Sequence, residues 1–148
     1  MEKEQAPIVP EDIHLTAIDV ISQKTDTEAL KKEKKQQLNI GHKLMYNLNE
    51  ERVKLGLAFS FDGSNEKNIA FFQIDFHFHI SKLNNYYTLK DDGLPVFYGP
   101  MIATLLGICV STARGIIFEK LQSAGVKNVI IPVVSPQKML IPQQNKKI

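Results

Sequence analysis

Three side chains suited to metal binding or acid–base chemistry stand at alternate positions of one apolar run: Asp75, His77 and His79. Alternate residues of a β-strand project from the same face, so these three could reach a common metal ion. A complete metal site would need a further ligand, and three other residues could supply it: His14, Asp19 and His42. The other reading is that Asp75, His77 and His79 form the polar face of a half-exposed strand or lie between subunits.

No further catalytic pattern accompanies these residues. The sequence has no G-x-S-x-G nucleophile motif, and its eight glycines are scattered and form no phosphate-binding loop. The single cysteine, Cys109, lies in an apolar stretch, where we expect it to pack as a small core residue. One cysteine provides no disulfide framework and no pair of thiolate ligands, which favours a reducing cytoplasm. We therefore predict a protein that is not an enzyme and that needs no cofactor.

The elements that would position these side chains follow from apolar periodicity. Alternation of apolar and polar residues predicts β-strands, and it is clearest around Asp75. The first strand changes phase near Ala17, which indicates a β-bulge. Short turn sequences separate the last three strands and predict an antiparallel meander, with the first strand at its edge. The predicted strands are 12–22, 38–48, 53–61 and 69–80.

The longest segment with few charges predicts a helix at residues 101–121. Pro100 suits the first turn of this helix, and Gly125 suits a left-handed cap after its end. The first half of the helix is apolar on nearly every side, which is more than one sheet face would cover. A second subunit could cover the remainder, with Arg114, the only charged residue in 94–118, pairing at that interface.

The remaining segments are predicted to be less regular. Residues 23–37 form a polar, solvated excursion with room for one or two helical turns, and residues 83–93 form a loop rich in Asn, Asp and Tyr. Residues 126–134 contain Pro132 and are predicted to be an extended segment or a sheet edge. One helical turn is expected at 137–140.

Length and charge set further bounds. A chain of 148 residues suits one domain, predicted at 12–141, between a flexible N-terminal arm at 1–11 and a flexible tail at 142–148. The net charge of +2 and the confinement of lysines to short runs predict no nucleic-acid binding. The N-terminus lacks a signal-peptide pattern, and the apolar stretch near Leu105 falls short of a membrane span. A soluble cytoplasmic protein is expected.

Large apolar side chains flank both ends of the predicted helix. They could simply cover the sheet, or a contiguous part of them could stay exposed as a site for protein partners. An exposed strand edge could also pair with an extended peptide. The residues considered for such a site are Tyr86, Tyr87, Leu89, Leu94, Phe97, Tyr98, Met139 and Leu140.

The order of these elements, together with three short motifs, resembles the SecB-like family of export chaperones. The motifs are Ser-Thr-Ala-Arg at 111–114 in the helix, Gly125 after it and Ile-Pro-Val-Val at 131–134, and the similarity spans residues 13–140. The resemblance implies an α+β fold: a four-stranded antiparallel Greek-key sheet packed by one long C-terminal helix, with a second helix short or absent. It also implies a homo-oligomer, either a dimer or a tetramer, that holds unfolded or extended polypeptide clients in apolar grooves.

The resemblance assigns roles to residues of this chain. The segment from Tyr86 to Tyr98 is similar to the crossover that lines the groove, so the apolar residues considered above would contact the client. Strand four is similar to a dimer-forming strand, and the long helix is similar to an interface helix. The oligomer-interface residues implied in this way are Phe72, Ile74, Phe76, Met101, Leu105, Ile108 and Arg114.

Two departures separate this chain from export chaperones of the family. It is slightly basic, and it ends soon after Met139, where those proteins have a second helix and a tail that docks on the SecA motor. Client holding is the expected activity, as in family members that protect antitoxins, and binding to SecA does not follow. Two other classes stay open: a small-molecule-binding or scaffold protein that uses the space between sheet and helix, and a metal-dependent enzyme at Asp75, His77 and His79.

Overall fold

A four-stranded antiparallel sheet forms the body of the protein. The structure is a computed structural model that describes residues 6–33 and 35–139. Its long strands are β1 (Ile13–Thr25), β2 (Gln37–Asn47), β3 (Arg52–Asp62) and β4 (Ala70–Ile80). Hairpins join β2, β3 and β4 in sequence, and β1 lies beside β4, so the strand order is β1-β4-β3-β2. This is a Greek key, and together with one long helix it confirms the predicted α+β class.

The sheet has one apolar face and one mixed face. Along β3 and β4 every second side chain is buried, and the residues between them are half-exposed. We call the buried side the inner face and the opposite side the outer face. The buried inner-face residues are Val53, Leu55, Leu57, Phe59 and Phe61 of β3, and Ala70, Phe72, Ile74, Phe76, Phe78 and Ile80 of β4.

Strand β1 is longer and less regular than the others. Its pairing with β4 skips a residue between Leu15 and Ala17 and again between Val20 and Ser22. The first of these irregularities lies where the change of apolar phase predicts a bulge. The strand continues to Thr25, three residues beyond its predicted end, because main-chain pairing at a solvated edge does not require apolar side chains.

A short helix carries the chain from β1 to β2. This helix, α1 (Thr27–Lys32), is capped by Asp26, whose side chain accepts a hydrogen bond from the Ala29 amide at 3.1 Å. Leu30 is fully buried. The polar excursion predicted at 23–37 is therefore attached to the core through α1, by Leu30 and by the partly buried Ala29.

The long helix α2 (Gly99–Ser123) lies over the inner face of β3 and β4. It includes Pro100 in its first turn, as predicted, and is followed by Gly125 with a φ of +84°, next to a hydrogen bond from the Val126 amide to the Leu121 carbonyl. By length and composition α2 is apolar enough to cross a membrane, contrary to the sequence-based expectation. Half of its apolar window is buried within the fold, as is usual for a core helix.

A small hairpin precedes α2 where the sequence predicts only a loop. Its strands are β5 (Tyr87–Leu89) and β6 (Pro95–Phe97), joined by a turn in which the Lys90 amide donates to the Leu94 carbonyl at 2.9 Å. Gly93 occupies the left-handed region of the turn, with a φ of +81°. Strands of three residues are too short to produce a detectable period.

The described ends of the chain contact the core. Ala6 and Ile8 pack against the core cluster, so the part of the predicted N-terminal arm that the structure describes is docked. Residues 126–135 have no regular secondary structure, and residues 136–139 are helical. The predicted tail at 142–148 lies outside the described residues.

The two faces predict different costs for removing an aromatic ring from β4. Phe76 is fully buried on the inner face, whereas Phe71 is half-exposed on the outer face. Phe76→Ala should lower the free energy of unfolding by about 3–5 kcal/mol, because it leaves a cavity under α2. Phe71→Ala should cost about 1 kcal/mol. Urea unfolding curves of both variants measure the difference, and equal losses would contradict the assignment of the two faces.

Candidate functional site

The three predicted metal ligands share the outer face but do not converge. Asp75, His77 and His79 alternate along β4, as expected, yet each side chain lies beside a different partner. The partners are Lys54 at 3.7 Å from Asp75, Asp19 at 3.1 Å from His77 and Glu51 at 3.9 Å from His79. Within residues 6–33 and 35–139, no group of three or more His, Cys, Asp or Glu side chains is arranged to hold a metal ion. The described structure therefore does not bring these three side chains together as metal ligands.

The cysteine is also unsuited to chemistry. Cys109 is fully buried in α2. Burial raises the pKa of the Cys109 thiol to about 12, because an apolar environment disfavours the thiolate. Since the thiolate is the nucleophilic form, this side chain is a core residue, as the sequence indicates.

The space between the sheet and α2 is filled by side chains. Leu57 and Phe59 from the sheet and Leu105 and Leu106 from the helix each have no exposed surface. A small-molecule site between sheet and helix would have to open within this packed layer. Two cavities lie elsewhere, on the outer face, with volumes of ≈ 560 and ≈ 420 Å³.

An aromatic cluster joins the β5–β6 hairpin to the inner face of β2. The ring of Phe97 meets the ring of Tyr46 edge-on at 5.6 Å and the ring of Tyr87 at 5.8 Å. Such geometry is favourable for aromatic pairs. Tyr46 belongs to the inner face because it pairs with Val53, and the sequence analysis did not connect it with the hairpin. In the sequence, only the position of Tyr46 among the alternating apolar residues of the second strand indicated that it lies on the apolar face.

The hairpin and the adjoining end of β2 also carry apolar side chains that remain in contact with solvent. Leu89 at the end of β5 is 61% exposed, Leu94 in the turn is 52% exposed and Tyr46 is 43% exposed. Tyr87 and Phe97 are half-buried. We call these five residues, Tyr46, Tyr87, Leu89, Leu94 and Phe97, the hairpin surface. Four of them, all in the hairpin, were predicted as client contacts, and among these the rings of Tyr87 and Phe97 are in contact.

Two of the predicted client contacts support this surface from beneath. Tyr86 and Tyr98 are only 1% and 6% exposed, so neither ring is available to a client. The Tyr86 hydroxyl donates to the Asp12 carboxylate at 3.0 Å, and the Tyr98 amide donates to the Tyr86 carbonyl at 2.9 Å. Burial, followed by this hydrogen bond, raises the pKa of Tyr86. The two tyrosines hold the hairpin against the rest of the fold.

The C-terminal segment covers the other part of β2. The His42 ring lies 3.0 Å from the Met139 carbonyl, and Met139 packs against the core cluster. Val129 and Ile131 are buried earlier in the same segment. Met139 therefore lies some distance along β2 from the hairpin surface. The last predicted client contact, Leu140, lies outside the described residues.

Most residues predicted for a subunit interface lie inside the protomer. Phe72, Ile74 and Phe76 point inward from β4, and Met101 and Leu105 meet them from α2, with at most 1% of each residue exposed. These five residues are core residues and not interface residues. The reason is that α2 packs on the same face of the sheet from which the β4 side chains project, so strand and helix bury each other within one protomer. The remaining two interface residues, Ile108 and Arg114, are half-buried.

Four exposed apolar residues of the sheet lie on β1. Leu15, Ile18 and Val20 face the inner side through their pairing with inner-face residues of β4, yet 38–39% of each is exposed. Ile21, at the second irregularity, is 53% exposed. The helix α2 packs on β3 and β4 and leaves this outermost strand uncovered.

Burial of the neutral Cys109 thiol predicts a pH dependence. The pKa of the Cys109 thiol rises from 9.0 in the unfolded chain to about 12 in the folded chain. Between these values the unfolded state binds fewer protons, so the free energy of unfolding should fall as the pH rises. Cys109→Ala should make that fall less steep. Urea unfolding of both proteins at several pH values between 8 and about 11 measures it, and parallel curves would contradict the burial of the thiol.

The geometry places exposed apolar side chains on the β5–β6 hairpin, at the end of β2 and along β1. Comparison with protein-family models and with curated proteins returns no match for this chain.

Proposed function

We propose that this protein is a SecB-like holdase, a chaperone that binds unfolded or extended polypeptide on the hairpin surface. The observation that carries the proposal is the exposure of Leu89 and Leu94 in the same hairpin as the Tyr87 and Phe97 rings, of which Phe97 meets the Tyr46 ring. Contiguous exposed apolar side chains mark binding sites for other proteins. Aromatic rings supply large contact areas at low entropic cost. The element order shared with the SecB-like family supports the same function.

The strand beside the hairpin surface suits an extended client. Among the described strands β2 pairs only with β3, so β2 is an edge strand of the sheet. A client segment could hydrogen-bond to this edge, while every second side chain reaches the hairpin surface. Main-chain pairing is independent of client sequence, as a chaperone of many clients requires.

The proposed mechanism is mass action. A client bound at the hairpin surface is withdrawn from the pool of aggregating chains, so neither nucleotide nor any other cofactor is required. Release follows when the client folds or passes to another protein. Such a protein would act in the cytoplasm, and delivery to SecA is not part of the proposal.

The test is suppression of client aggregation by matched hairpin variants. Leu89 and Val96 are both exposed residues of the hairpin, but their side chains lie on opposite sides of it. Leu89 pairs with Pro95 and lies on the same side as Tyr87 and Phe97. Val96 pairs with Thr88 and lies on the other side. Light scattering by a reduced, unfolded model protein should be suppressed by the wild type at near-stoichiometric ratio. Leu89→Ser should weaken client binding about tenfold, because it removes buried apolar area from the complex.

Val96→Ser is the control and should retain wild-type suppression. Failure of the wild type to suppress scattering at any ratio would refute the holdase proposal. Equal effects of Leu89→Ser and Val96→Ser would refute the assignment of the hairpin surface.

We further propose that the protein is a homo-oligomer in which a second copy covers β1. Leu15, Ile18 and Val20 form an apolar row beside an unpaired strand edge, and exposed edges of this kind favour pairing with another chain. The row is continuous with the core of the protomer, so a second copy would extend that core. This contact replaces the buried residues that the sequence analysis placed at the interface.

A charge placed in this row should dissociate the oligomer. Ile18→Lys puts an ammonium group on the inner side of β1, whereas Ser22→Lys puts one on the outer side of the same strand. Light-scattering mass measurements should give a dimer or tetramer for the wild type and for Ser22→Lys, and a monomer for Ile18→Lys. A monomeric wild-type protein would contradict the proposal.

A further inference from the structure

Two Asp-Gly pairs occur in the sequence, Asp62-Gly63 and Asp92-Gly93. The first lies where β3 ends, and the second lies in the turn that joins β5 to β6. An aspartate isomerises most readily when glycine follows it, because glycine has no side chain to hinder attack by its own amide nitrogen. In a folded protein the reaction also requires that the two residues can move. The structure restrains the two pairs to different degrees.

The isomerisation has two steps, and water is the only other reactant. In the first step the glycine amide nitrogen bonds to the side-chain carboxyl carbon of the aspartate, and the carboxyl hydroxyl leaves with the amide hydrogen as water. This closes a succinimide ring. In the second step water adds to the former main-chain carbonyl carbon and breaks its bond to the nitrogen. The product is an isoaspartate of unchanged mass, with one additional methylene in the main chain.

The first pair is held by other segments of the chain. The Asp62 carboxylate accepts a hydrogen bond from the Asn68 amide at 2.8 Å and another from the Asn39 side chain at 3.1 Å. The Glu33 side chain occupies the space beside Gly63, and both residues of the pair are half-buried. Attack on the Asp62 carboxyl carbon would therefore require its two hydrogen bonds to break and the loop to move away from Glu33.

The second pair lies in an open turn. Residues 89–94 are all exposed, and 55% of the Asp92 side chain is in contact with solvent. The Asp92 carboxylate accepts a hydrogen bond from the Leu94 amide at 3.0 Å. The ring closed by this bond includes the Gly93 nitrogen, so the carboxyl group is folded back toward the nitrogen that would attack it. The Gly93 amide itself donates within the turn, to the Lys90 carbonyl at 2.8 Å.

We propose that Asp92 is a modification site at which isoaspartate forms in the folded protein, whereas Asp62 is protected. The additional methylene lengthens the turn between Lys90 and Leu94, whose main-chain amide and carbonyl are hydrogen-bonded at 2.9 Å. Loss of this hydrogen bond displaces Leu89 and Leu94 of the hairpin surface. The resulting effect on client binding rests on the proposed chaperone function, but the formation of isoaspartate does not.

The test of the site is peptide mapping of the full-length protein after several weeks at 37 °C and pH 6. Trypsin releases the two pairs in separate peptides, residues 55–67 and 91–114, and electron-transfer fragmentation distinguishes isoaspartate from aspartate. The isoaspartate fraction in 91–114 should exceed that in 55–67 by about tenfold, because additional hydrogen bonds restrain Asp62. In guanidinium chloride the two fractions should agree within about twofold, since neither pair is then restrained by the fold.

Three results would overturn the modification site. They are an absence of isoaspartate from 91–114, equal fractions in the two peptides of the folded protein, and an excess in 91–114 that persists in guanidinium chloride. The last result would show that the difference comes from the neighbouring sequence and not from the structure.

A matched variant tests the effect on client binding. Asp92→Glu keeps a carboxylate at this position, but its longer side chain does not close a succinimide ring. Isomerised wild-type protein should suppress the scattering of an unfolded model protein about threefold less well than fresh protein, because the turn has lost a hydrogen bond. Asp92→Glu incubated in the same way should perform as well as its fresh form.

The outcomes separate the site from the function. Undiminished suppression by the isomerised wild type, or an equal loss in incubated Asp92→Glu, would overturn the effect on the hairpin surface. If fresh wild-type protein fails to suppress scattering, the holdase proposal is refuted, and the peptide map alone decides whether Asp92 is a modification site.

Discussion

The packing of α2 against the inner face of β3 and β4 is the interaction on which the rest of the structure depends. Phe59 and Phe76 from the strands and Leu105 and Cys109 from the helix lose all their exposed surface there. Burial of such side chains is the main favourable contribution to folding. A helix with its side chains is about 10–12 Å wide, whereas four strands span about 15 Å between the outer two, so one helix covers the two central strands only. The uncovered margins of the inner face are the consequence.

The two uncovered margins of the inner face, at β2 and at β1, differ in what packs on them. The margin at β2 is covered at one end by the β5–β6 hairpin and at the other by the segment that carries Met139, and the hairpin itself brings exposed apolar residues to the surface. The margin at β1 has no such cover among the described residues, and Ile18 remains 38% exposed. Both apolar surfaces to which we assign function therefore have the same cause: one helix is too narrow to cover all four strands of the inner face. The outer face, in contrast, carries charged side chains in pairs, such as Lys54 with Asp75.

The spacing of apolar residues in the sequence predicted most of the strands and the long helix, but fewer of the residues at the candidate functional site. Strands and helix appeared within about three residues of their predicted ends because each long element repeats its apolar pattern several times. The β5–β6 hairpin escaped detection because its strands have three residues each. Phe76 and Met101 were misassigned to an interface since an apolar period identifies a buried face but not what buries it. Asp75, His77 and His79 share a face as predicted, but spacing alone does not reveal that a different partner meets each one.

The central claim is that a client occupies the hairpin surface beside β2. The most direct measurement is site-specific photocrosslinking, with a benzophenone side chain placed at Tyr46 of the hairpin surface or at Phe71 of the outer face. The account predicts that an unfolded model protein crosslinks efficiently at Tyr46 and little at Phe71, and that the native form of the same protein crosslinks at neither. Equal crosslinking at the two positions, or crosslinking only at Phe71, would contradict it.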